Sequence, residues 1–341
     1  MAHPIAESLS RNPVLIEVTR GPLVECRHRG AVAVADASGA LVLELGDTRA
    51  PVYPRSAIKP LQALPVIETG AADRYGFKNH HLALASASHS GTRGQVTAAG
   101  EMLAAIGLNE SALHCGTHLP RDEDEQRALL RTDSKPTPLH HNCSGKHAAM
   151  LATARHLGEP TATYEQADHP VQQRIRELLE EMGGIEITAD VCGIDGCSVP
   201  NWALPTANLA RAYARFGTGE GLSPERANAA QRLRAAALAE PEFLAGPARL
   251  DTRVQKLLDG AAFIKTGAEG AYCGCFPQVG LGFALKMDDG ASRGAEAIVS
   301  LLIEAYVPAA RGKLPLKTLK NAQGKDVGVI RPSSLARVAL R

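Results

Sequence analysis

Residues 14–46, "VLIEVTRGPLVECRHRGAVAVADASGALVLELG", decide the fold of this chain. Apolar and polar residues alternate along the stretch, and the alternation breaks at Gly21-Pro22 and at Ser38-Gly39. A period of two is typical of a strand with one buried face, and Gly and Pro between such runs indicate turns. The stretch therefore predicts an antiparallel meander of three strands.

The middle of the chain has a different pattern, with apolar residues at helical spacing. The clearest helices are predicted over 95–106, 124–131, 146–157, 170–182, 207–216 and 223–240. The last of these opens with Ser223 and Pro224, residue types that favour the cap and the first position of a helix.

Strand-like alternation returns late in the chain. "GAAFIKTG" (260–267) and "AYCGCFPQVGLGFALKMDDG" (271–290) predict two or three strands, and a long helix and a short strand, "DVGVI", follow. Because small groups of strands cannot bury both faces alone, we expect the early and late strands to pair in one sheet. The prediction is a single α+β domain over 1–341, with a sheet region at 14–60 and 260–335 and a helical region at 61–259.

Composition argues against several classes of protein. The net charge is +1 and only 4% of the residues are aromatic, which favours neither nucleic acid nor an anionic membrane as a partner. No apolar run approaches about 20 residues, and the start of the sequence does not resemble a secretory signal. Seven cysteines, an odd number, indicate reduced thiols, so the expected location is the cytoplasm.

Ser56 and Lys59 lie three residues apart in "YPRSAIKPLQ" (53–62). On a helical turn this spacing brings both side chains to one face, where a dehydrated lysine can take the proton of a hydroxyl. Pro60 disfavours helical geometry at Lys59, so the pair is predicted on a single turn rather than in a regular helix. Alone the pair is a weak signal, because Ser and Lys are common.

A second signal is Lys265-Thr266-Gly267 at the end of a late strand. Ser-x-x-Lys early in the chain and Lys-Thr-Gly on a late strand are typical of serine β-lactamases and penicillin-binding proteins. Between them, "ASASHSGT" (85–92) contains Ser88, which is either a residue of an ordinary polar loop or a second reactive hydroxyl.

The cysteine-containing segments are the most unusual part of the sequence. "HHNCSGKHAAM" (140–150) contains Cys143 and Lys146, and "CGIDGCSVP" (192–200) contains Cys197. Two thiolates and a nitrogen donor suit zinc, but no Cys-x-x-Cys pair is present for a standard structural site. From the residues alone, Cys143 and Cys197 can be core residues, metal ligands or nucleophiles. Cys273-x-Cys275 lies in a predicted strand and is best explained by buried packing.

Seven motifs occur together in one order: "IEVTRG", "YPRSAIKPLQALP", "ASASHSG", "NCSGKHAAMLA", "HPVQ", "IDGCSVP" and "KTGAEG". With them the chain resembles the L-asparaginase II family, the thermolabile rhizobial-type asparaginases, from about Val14 to about Pro332. "NCSGKH" and "DGC" are the specific motifs, whereas Ser-x-x-Lys (Ser56 to Lys59) and Lys-Thr-Gly (265–267) are shared with the wider serine β-lactamase-like fold. The resemblance implies a serine β-lactamase/glutaminase-like fold and hydrolysis of L-asparagine to L-aspartate and ammonia.

The resemblance also implies roles for individual residues. Two Ser-Lys tandems would carry the reaction, Ser56 with Lys59 and Ser88 with Lys265. A zinc ion near the substrate would be bound by Cys143, Lys146 and Cys197. Substrate contacts are expected from Arg55, His89, Asp195 and Gly267. Members of this family are typically homodimers, so we also expect a homodimer.

The expected reaction begins with Lys59 taking the proton of Ser56, which attacks the side-chain amide, and Ser88 is the alternative nucleophile. Two other functions compete with this one. A penicillin-recognising serine hydrolase of the same fold shares Ser56, Lys59 and Lys265 but leaves "NCSGKH" and "DGC" unexplained. A zinc- or thiol-binding protein without enzyme activity leaves both Ser-Lys pairs unexplained.

Overall fold

The computed structural model describes residues 12–340, in which a central sheet of eight strands has helices on both faces. The strands are β1 (Val14–Arg20), β2 (Leu23–Asp36), β3 (Leu41–Leu45), β4 (Pro51–Val52), β5 (Cys192–Ile194), β6 (Pro200–Trp202), β7 (Leu204–Pro205), β8 (Phe263–Thr266), β9 (Ala271–Phe276), β10 (Leu281–Met287), β11 (Thr318–Lys320) and β12 (Asp326–Pro332). Two small sheets, β4 with β7 and β5 with β6, lie outside the central one.

Most helices lie between β4 and β8. They are α1 (Lys59–Gln62), α2 (Leu64–Glu68), α3 (Ala71–Arg74), α4 (Asn79–Ala85), α5 (Arg93–Ala105), α6 (Glu123–Arg131), α7 (Ser144–Leu157), α8 (Pro170–Gly183), α9 (Thr206–Thr218), α10 (Pro224–Ala239), α11 (Pro241–Leu244), α12 (Leu250–Leu258), α13 (Ser292–Tyr306) and α14 (Ser334–Ala339). Among residues 12–340, no helix combines the length and the apolar character that a membrane span requires.

The central sheet is antiparallel, and its order is β11-β12-β1-β2-β10-β9-β8, with β3 on β2. The 14-residue strand β2 is the centre of this arrangement. Its first half pairs with β1, and its second half pairs with both β3 and β10. The predicted meander and the pairing of early with late strands are therefore confirmed.

The two faces of the sheet belong to two cores, because side chains alternate along β2. Val34 faces the core formed with α12, α13 and α14, whereas Ala33 faces the core formed with the helical region. On that second face α9 lies directly on the sheet. A Cβ added at Gly282 in β10 would come within 2.1 Å of the Ala214 backbone nitrogen in α9, so only glycine fits there.

The chain segment around Ser56 differs in one respect from the prediction. Arg55–Ile58 form a 3-10 turn packed against β8 and β9, and α1 begins at Lys59. Lys59 has helical dihedral angles (φ −55°, ψ −37°) although Pro60 follows it, so the expectation of a non-helical Lys59 is wrong. The Lys59 backbone N–H donates to the Ser56 carbonyl and closes the turn, and these tertiary and local contacts outweigh the preference of a residue before proline.

Candidate active site

A cavity of about 640 Å³ opens where the turn before α1, the end of β8 and the loops before α7 and β6 meet. Because these elements come from four distant parts of the sequence, only the folded chain assembles the cavity. Its lining includes six of the residues predicted from the sequence, Arg55, Ser56, Ser88, Cys143, Asp195 and Cys197, and a seventh, Gly267, at the end of β8.

The Ser88 hydroxyl lies between two buried lysines. Lys59 Nζ is 3.1 Å and Lys265 Nζ is 3.0 Å from Ser88 Oγ. Each amine is also held by backbone carbonyls: Lys59 donates to those of Ala87 and Asn142, and Lys265 donates to that of Thr266. The lysines of the two Ser-Lys pairs expected from the sequence thus meet at one hydroxyl, that of Ser88.

Burial sets the protonation of these amines. Both lysine side chains have no exposed surface. Burial lowers the pKa of Lys265 well below the ordinary value, Asp251 opposes this shift, and the charge of Lys59 lowers the pKa further. Burial also lowers the pKa of Lys59, against the charge of Cys143. A buried amine with a lowered pKa can accept a proton near neutral pH.

Ser56 lies on the cavity wall, half-buried, on the turn that ends at Ile58. Within residues 12–340 its hydroxyl forms no hydrogen bond with Lys59 or with another group of the protein. The structure therefore differs from a direct Ser56–Lys59 pair, since Lys59 bonds to Ser88 instead. Ser56 has the accessible hydroxyl, and Ser88 (2% exposed) has the hydroxyl with amine partners.

Arg55 and Asp195 form an ion pair at the cavity wall. Arg55 Nε donates to Asp195 Oδ1 over 2.8 Å, and the Gly196 backbone N–H donates to the same oxygen. Burial raises the pKa of Asp195, but the charges of Lys146 and Arg55 outweigh it, and the pKa stays below its ordinary value. Arg55 has a left-handed backbone (φ 53°), which is costly for a residue with a Cβ and occurs most often at functional sites.

The second cluster consists of Cys143, Lys146 and Cys197. Lys146 Nζ lies 3.1 Å from Cys197 Sγ, and the Cys143 thiol is close to both the Cys197 thiol and the Asn142 side chain. A hydrogen bond with Cys197 and the charges of Lys59 and Lys146 lower the pKa of Cys143 well below its ordinary value, although burial opposes this. Burial lowers the pKa of Lys146, but the charges of Cys197, Cys143 and Asp195 raise it above the ordinary value.

This donor set fits a zinc ion. Zinc in proteins is held by thiolate sulfur and by nitrogen, and the lowered pKa of Cys143 supplies one thiolate. The hydrogen bond with Cys143 and burial raise the pKa of Cys197, so this thiol would have to lose its proton when a metal binds. Cys143 and Cys197 line the cavity, whereas Lys146 lies behind them with 2% of its surface exposed. A metal held by these three groups would therefore have one side open to the cavity.

His89 lies apart from the place expected for a substrate-binding side chain. It has no exposed surface and is not part of the cavity lining. Its Nδ1 accepts from the Gly91 backbone N–H at 3.1 Å, so Nε2 carries the proton and donates to Ser144 Oγ at 2.8 Å. Burial lowers the pKa of His89 to about 3. Both ring nitrogens are used inside the protein, which fits a positioning role for the Ser88 loop.

Gly267 allows the end of β8 to approach the turn that carries Ser56. A Cβ added there would lie 2.6 Å from the Pro54 carbonyl oxygen and 3.0 Å from the Ala271 Cβ. Real Cβ contacts are almost never that short, so a larger residue would separate β8 from the Ser56 turn.

Sequence reasoning missed several charged residues of the cavity, which are Arg121, Arg249, Glu269 and Glu296. It also missed Asp251, a fully buried carboxylate that accepts from the Thr266 backbone N–H at 2.7 Å and so fixes the strand position of Lys265. No motif or periodicity marks Arg121, Arg249, Asp251 or Glu296. A clue was present for Glu269, which lies within "KTGAEG", and for Asn142, which lies within the unusual "HHNCSGKHAAM" stretch.

A third group of metal-ligand types, His80, His81 and Glu101, lies outside the cavity. His81 Nδ1 accepts from the Lys78 backbone N–H at 3.1 Å, so its proton is on Nε2, which donates to Glu101 at 3.1 Å. A protonated nitrogen cannot bind a metal. This group is therefore explained by hydrogen bonds at the N-terminus of α4 and not by a metal site.

A serine hydroxyl between two buried amines with lowered pKa values is an arrangement that can support proton transfer to and from the hydroxyl. The chain belongs to the L-asparaginase II family, whose sequence model matches residues 16–332. Membership in this family indicates an amidohydrolase that acts on a small molecule. The comparison with curated proteins gives no match.

Solved structures with similar folds are distant. Mglu, in its native form in 4.3 M NaCl, is 17% identical with a TM-score of 0.42, covering 86% of this chain and 67% of its own. A β-lactamase from Mycobacterium bovis is 13% identical with a TM-score of 0.40, covering 78% and 89%. The D-alanine carboxypeptidase AmpC from Burkholderia cenocepacia is 14% identical with a TM-score of 0.38, covering 77% and 88%. The family assignment rests on the sequence match and not on these structures.

Proposed function

We propose that this protein hydrolyses L-asparagine to L-aspartate and ammonia through a serine nucleophile. The observation that carries the proposal is the position of Ser88 Oγ, within 3.1 Å of Lys59 Nζ and 3.0 Å of Lys265 Nζ, at the wall of a polar cavity. Two amines and two hydroxyls can move both protons that amide hydrolysis requires. The family supplies the amide as the bond to be broken.

In this mechanism Ser56 is the nucleophile, because its hydroxyl is open to the cavity and has no competing partner among the described residues. Lys59 follows it by one turn. Its amine exchanges one of its three present contacts for the Ser56 hydroxyl and takes the proton. The Ser56 oxygen then forms a bond to the side-chain amide carbon of asparagine.

Ser88 and Lys265 complete the transfer. The proton taken by Lys59 passes through the Ser88 hydroxyl, which contacts both amines, to the nitrogen that leaves as ammonia. The carbon–nitrogen bond breaks and an aspartyl ester on Ser56 remains. Water then attacks the ester, gives its proton to the same relay, and releases L-aspartate with the Ser56 hydroxyl restored.

Zinc is the proposed cofactor, held by Cys143, Lys146 and Cys197. When bound, such an ion supplies a positive charge and an open coordination position for a polar group of the substrate. Lys146 must lose its proton to act as a ligand, so zinc binding should release protons. In this proposal the residues of the zinc site orient the substrate, since the serines and lysines account for the covalent steps.

The first test is ammonia release from L-asparagine and L-glutamine, measured for wild type and Ser56→Ala. Ser134→Ala, at an exposed position, is the matched control. Release from asparagine that is lost only in Ser56→Ala supports the proposal. No release from either amide in the presence of zinc would reject the enzymatic function. Turnover of a fluorogenic lactam instead of asparagine would favour the penicillin-recognising alternative.

The choice between the serines has its own test. Mass spectrometry of acyl-enzyme trapped by acid during turnover locates the ester on a peptide. We expect the label on the peptide that contains Ser56. A label on Ser88 would make Ser88 the nucleophile and leave the asparaginase function unchanged.

A further inference from the structure

Two arginines of the cavity have no role in the mechanism above. Arg121 and Arg249 both line the cavity that contains Ser56 and Ser88. Neither guanidinium has a hydrogen bond or an ion pair with any residue of 12–340. The other arginine of the cavity, Arg55, is different because it is paired with Asp195.

The two guanidinium groups repel each other. Arg121 is exposed at the cavity and Arg249 is half-buried. Partial burial lowers the pKa of Arg121, and the like charge of Arg249 lowers it further. The charge of Arg249 also lowers the pKa of Lys265, so Arg249 lies near the catalytic lysine. Holding two like charges together costs free energy that a carboxylate between them recovers, because guanidinium groups bind carboxylates through two parallel hydrogen bonds.

The fold fixes both arginines relative to the reacting hydroxyls. The Arg121 backbone N–H donates to the Ser90 carbonyl at 2.8 Å, two residues after Ser88. On the other side, the Ser88 backbone N–H donates to the Leu244 carbonyl, and the Ser90 hydroxyl donates to the Ala245 carbonyl.

The second of these segments leads directly to Arg249. Arg249 caps the start of α12, and its backbone N–H donates to the Gly246 carbonyl at 3.2 Å. A Cβ at Gly246 would lie 2.2 Å from Ser90 Oγ, so the segment is pressed against the Ser88 loop. Two arginines on separate segments are thereby tied to the same short loop.

The carboxylates of the cavity leave this pair available. Asp195 is bonded to Arg55, and Glu296 accepts from Lys317 Nζ at 2.9 Å. Glu269 is exposed and forms no ion pair with an arginine of the described chain. A substrate that brings its own carboxylate therefore complements the two arginines.

We propose that Arg121 and Arg249 form a subsite that binds the α-carboxylate of the substrate, and that this subsite excludes asparagine residues that another residue follows in a peptide chain. The inference rests on the proposed function. In free asparagine the α-carboxylate is three bonds from the amide carbon that Ser56 attacks. In a peptide that carboxylate has become a neutral amide, which cannot replace the charged partner of two guanidinium groups.

The test compares L-asparagine with its α-methyl ester, which keeps the side-chain amide but lacks the negative charge. The variants are Arg121→Gln and Arg249→Gln, and Arg253→Gln is the control because Arg253 is exposed on the same helix as Arg249 and lies outside the cavity. We expect wild type to prefer asparagine by kcat/KM. Each cavity variant should lose about 10- to 100-fold on asparagine, mainly through KM, and little on the ester.

Several results would overturn the subsite. Wild type with equal kcat/KM for both substrates, or variants whose kcat/KM falls by the same factor for both, would show that the arginines do not recognise the carboxylate. The hydrolase function would be unaffected by that result. If wild type releases no ammonia, the proposed function fails, and calorimetry with L-aspartate decides the subsite alone. L-Aspartate binding that is weakened in both cavity variants and kept in Arg253→Gln supports the subsite. No L-aspartate binding to wild type, or equal binding to wild type and the cavity variants, rejects the subsite.

Discussion

Two buried clusters meet at this cavity, the Ser88 cluster with Lys59 and Lys265 and the cysteine cluster with Lys146. The pKa of the lysine is shifted in opposite directions in the two clusters. Lys265 has no exposed surface and its pKa is lowered, whereas Lys146 is equally buried and its pKa is raised. The difference lies in the neighbours. Lys265 contacts a neutral hydroxyl and a carbonyl, and the charge of Asp251 offsets its burial only in part. Lys146 contacts the Cys197 thiol, and the charges of Cys197, Cys143 and Asp195 together outweigh its burial.

This comparison shows that burial alone does not make a lysine a base. Burial disfavours the charged form in both clusters, but a nearby anion reverses the outcome at Lys146. The first cluster is thus suited to proton transfer, and the second is suited to holding a cation or, after deprotonation, a metal.

The largest effect is expected from Lys265→Met, which removes the amine and keeps the side-chain volume. Loss of proton delivery to Ser88 should lower kcat for asparagine by about 10²- to 10⁴-fold. Steady-state ammonia release measures this, with circular dichroism to verify folding. Lys256→Met, on the exposed face of α12, is the control and should keep full activity. A loss of less than about fivefold in Lys265→Met would remove the first cluster from the chemistry.

The pH dependence of the rate tests the protonation state of Lys59, the base of the proposed mechanism. Burial lowers the pKa of Lys59, so its amine is neutral above that pKa and gains a proton as the pH falls through it. A protonated amine cannot accept a proton, so kcat/KM should fall about tenfold per pH unit on the acid side and level off above. A rate that stays constant between about pH 5 and 9 would contradict a neutral lysine as the base.

Zinc binding tests the second cluster. Cys197→Ser should weaken zinc affinity at least about 10-fold, because a hydroxyl replaces a thiolate ligand. Calorimetry and metal analysis measure this, and Cys192→Ser, a half-buried cysteine of the same region, is the control. We expect chelation to raise KM for asparagine and to leave kcat nearly unchanged. Loss of the rate at saturating asparagine would instead give the metal a chemical role.

The sequence predicted much of the fold, and the reasons are local. Alternation in β1 and β2 and the Ser223 cap of α10 depend on neighbouring residues, and the structure confirms them. The site was predicted through motifs, which named the lysines and cysteines. The motifs did not indicate that Lys59 bonds to Ser88 rather than to Ser56, because that contact joins residues 29 positions apart and depends on how α1 packs. The sequence also did not indicate that Arg121 and Arg249 line the cavity without an ion-pair partner, since pairing depends on which side chains the folded chain brings together.

The smallest expected effect gives the sharpest test of the comparison, because the two lysines should change stability in opposite directions. A lysine whose pKa is lowered in the folded protein costs stability at every pH below its unfolded pKa of about 10.4. A lysine whose pKa is raised contributes stability below that same pH and loses it only as the pH rises through the folded pKa. At pH 7 the contribution of Lys146 is therefore fully present, and the cost at Lys265 is already present because pH 7 lies below the unfolded pKa.

Replacement by methionine should therefore separate the two lysines. In metal-free protein at pH 7, Lys265→Met should raise the free energy of unfolding by about 1 kcal/mol, because the cost of burying an amine disappears. Lys146→Met should lower it by about 1–3 kcal/mol, because the thiol groups lose their charged partner. Urea unfolding in the presence of a chelator measures both, and Lys256→Met should stay within about 0.5 kcal/mol of wild type. Changes of the same sign at Lys265 and Lys146 would show that burial, and not the neighbouring charge, governs both sites.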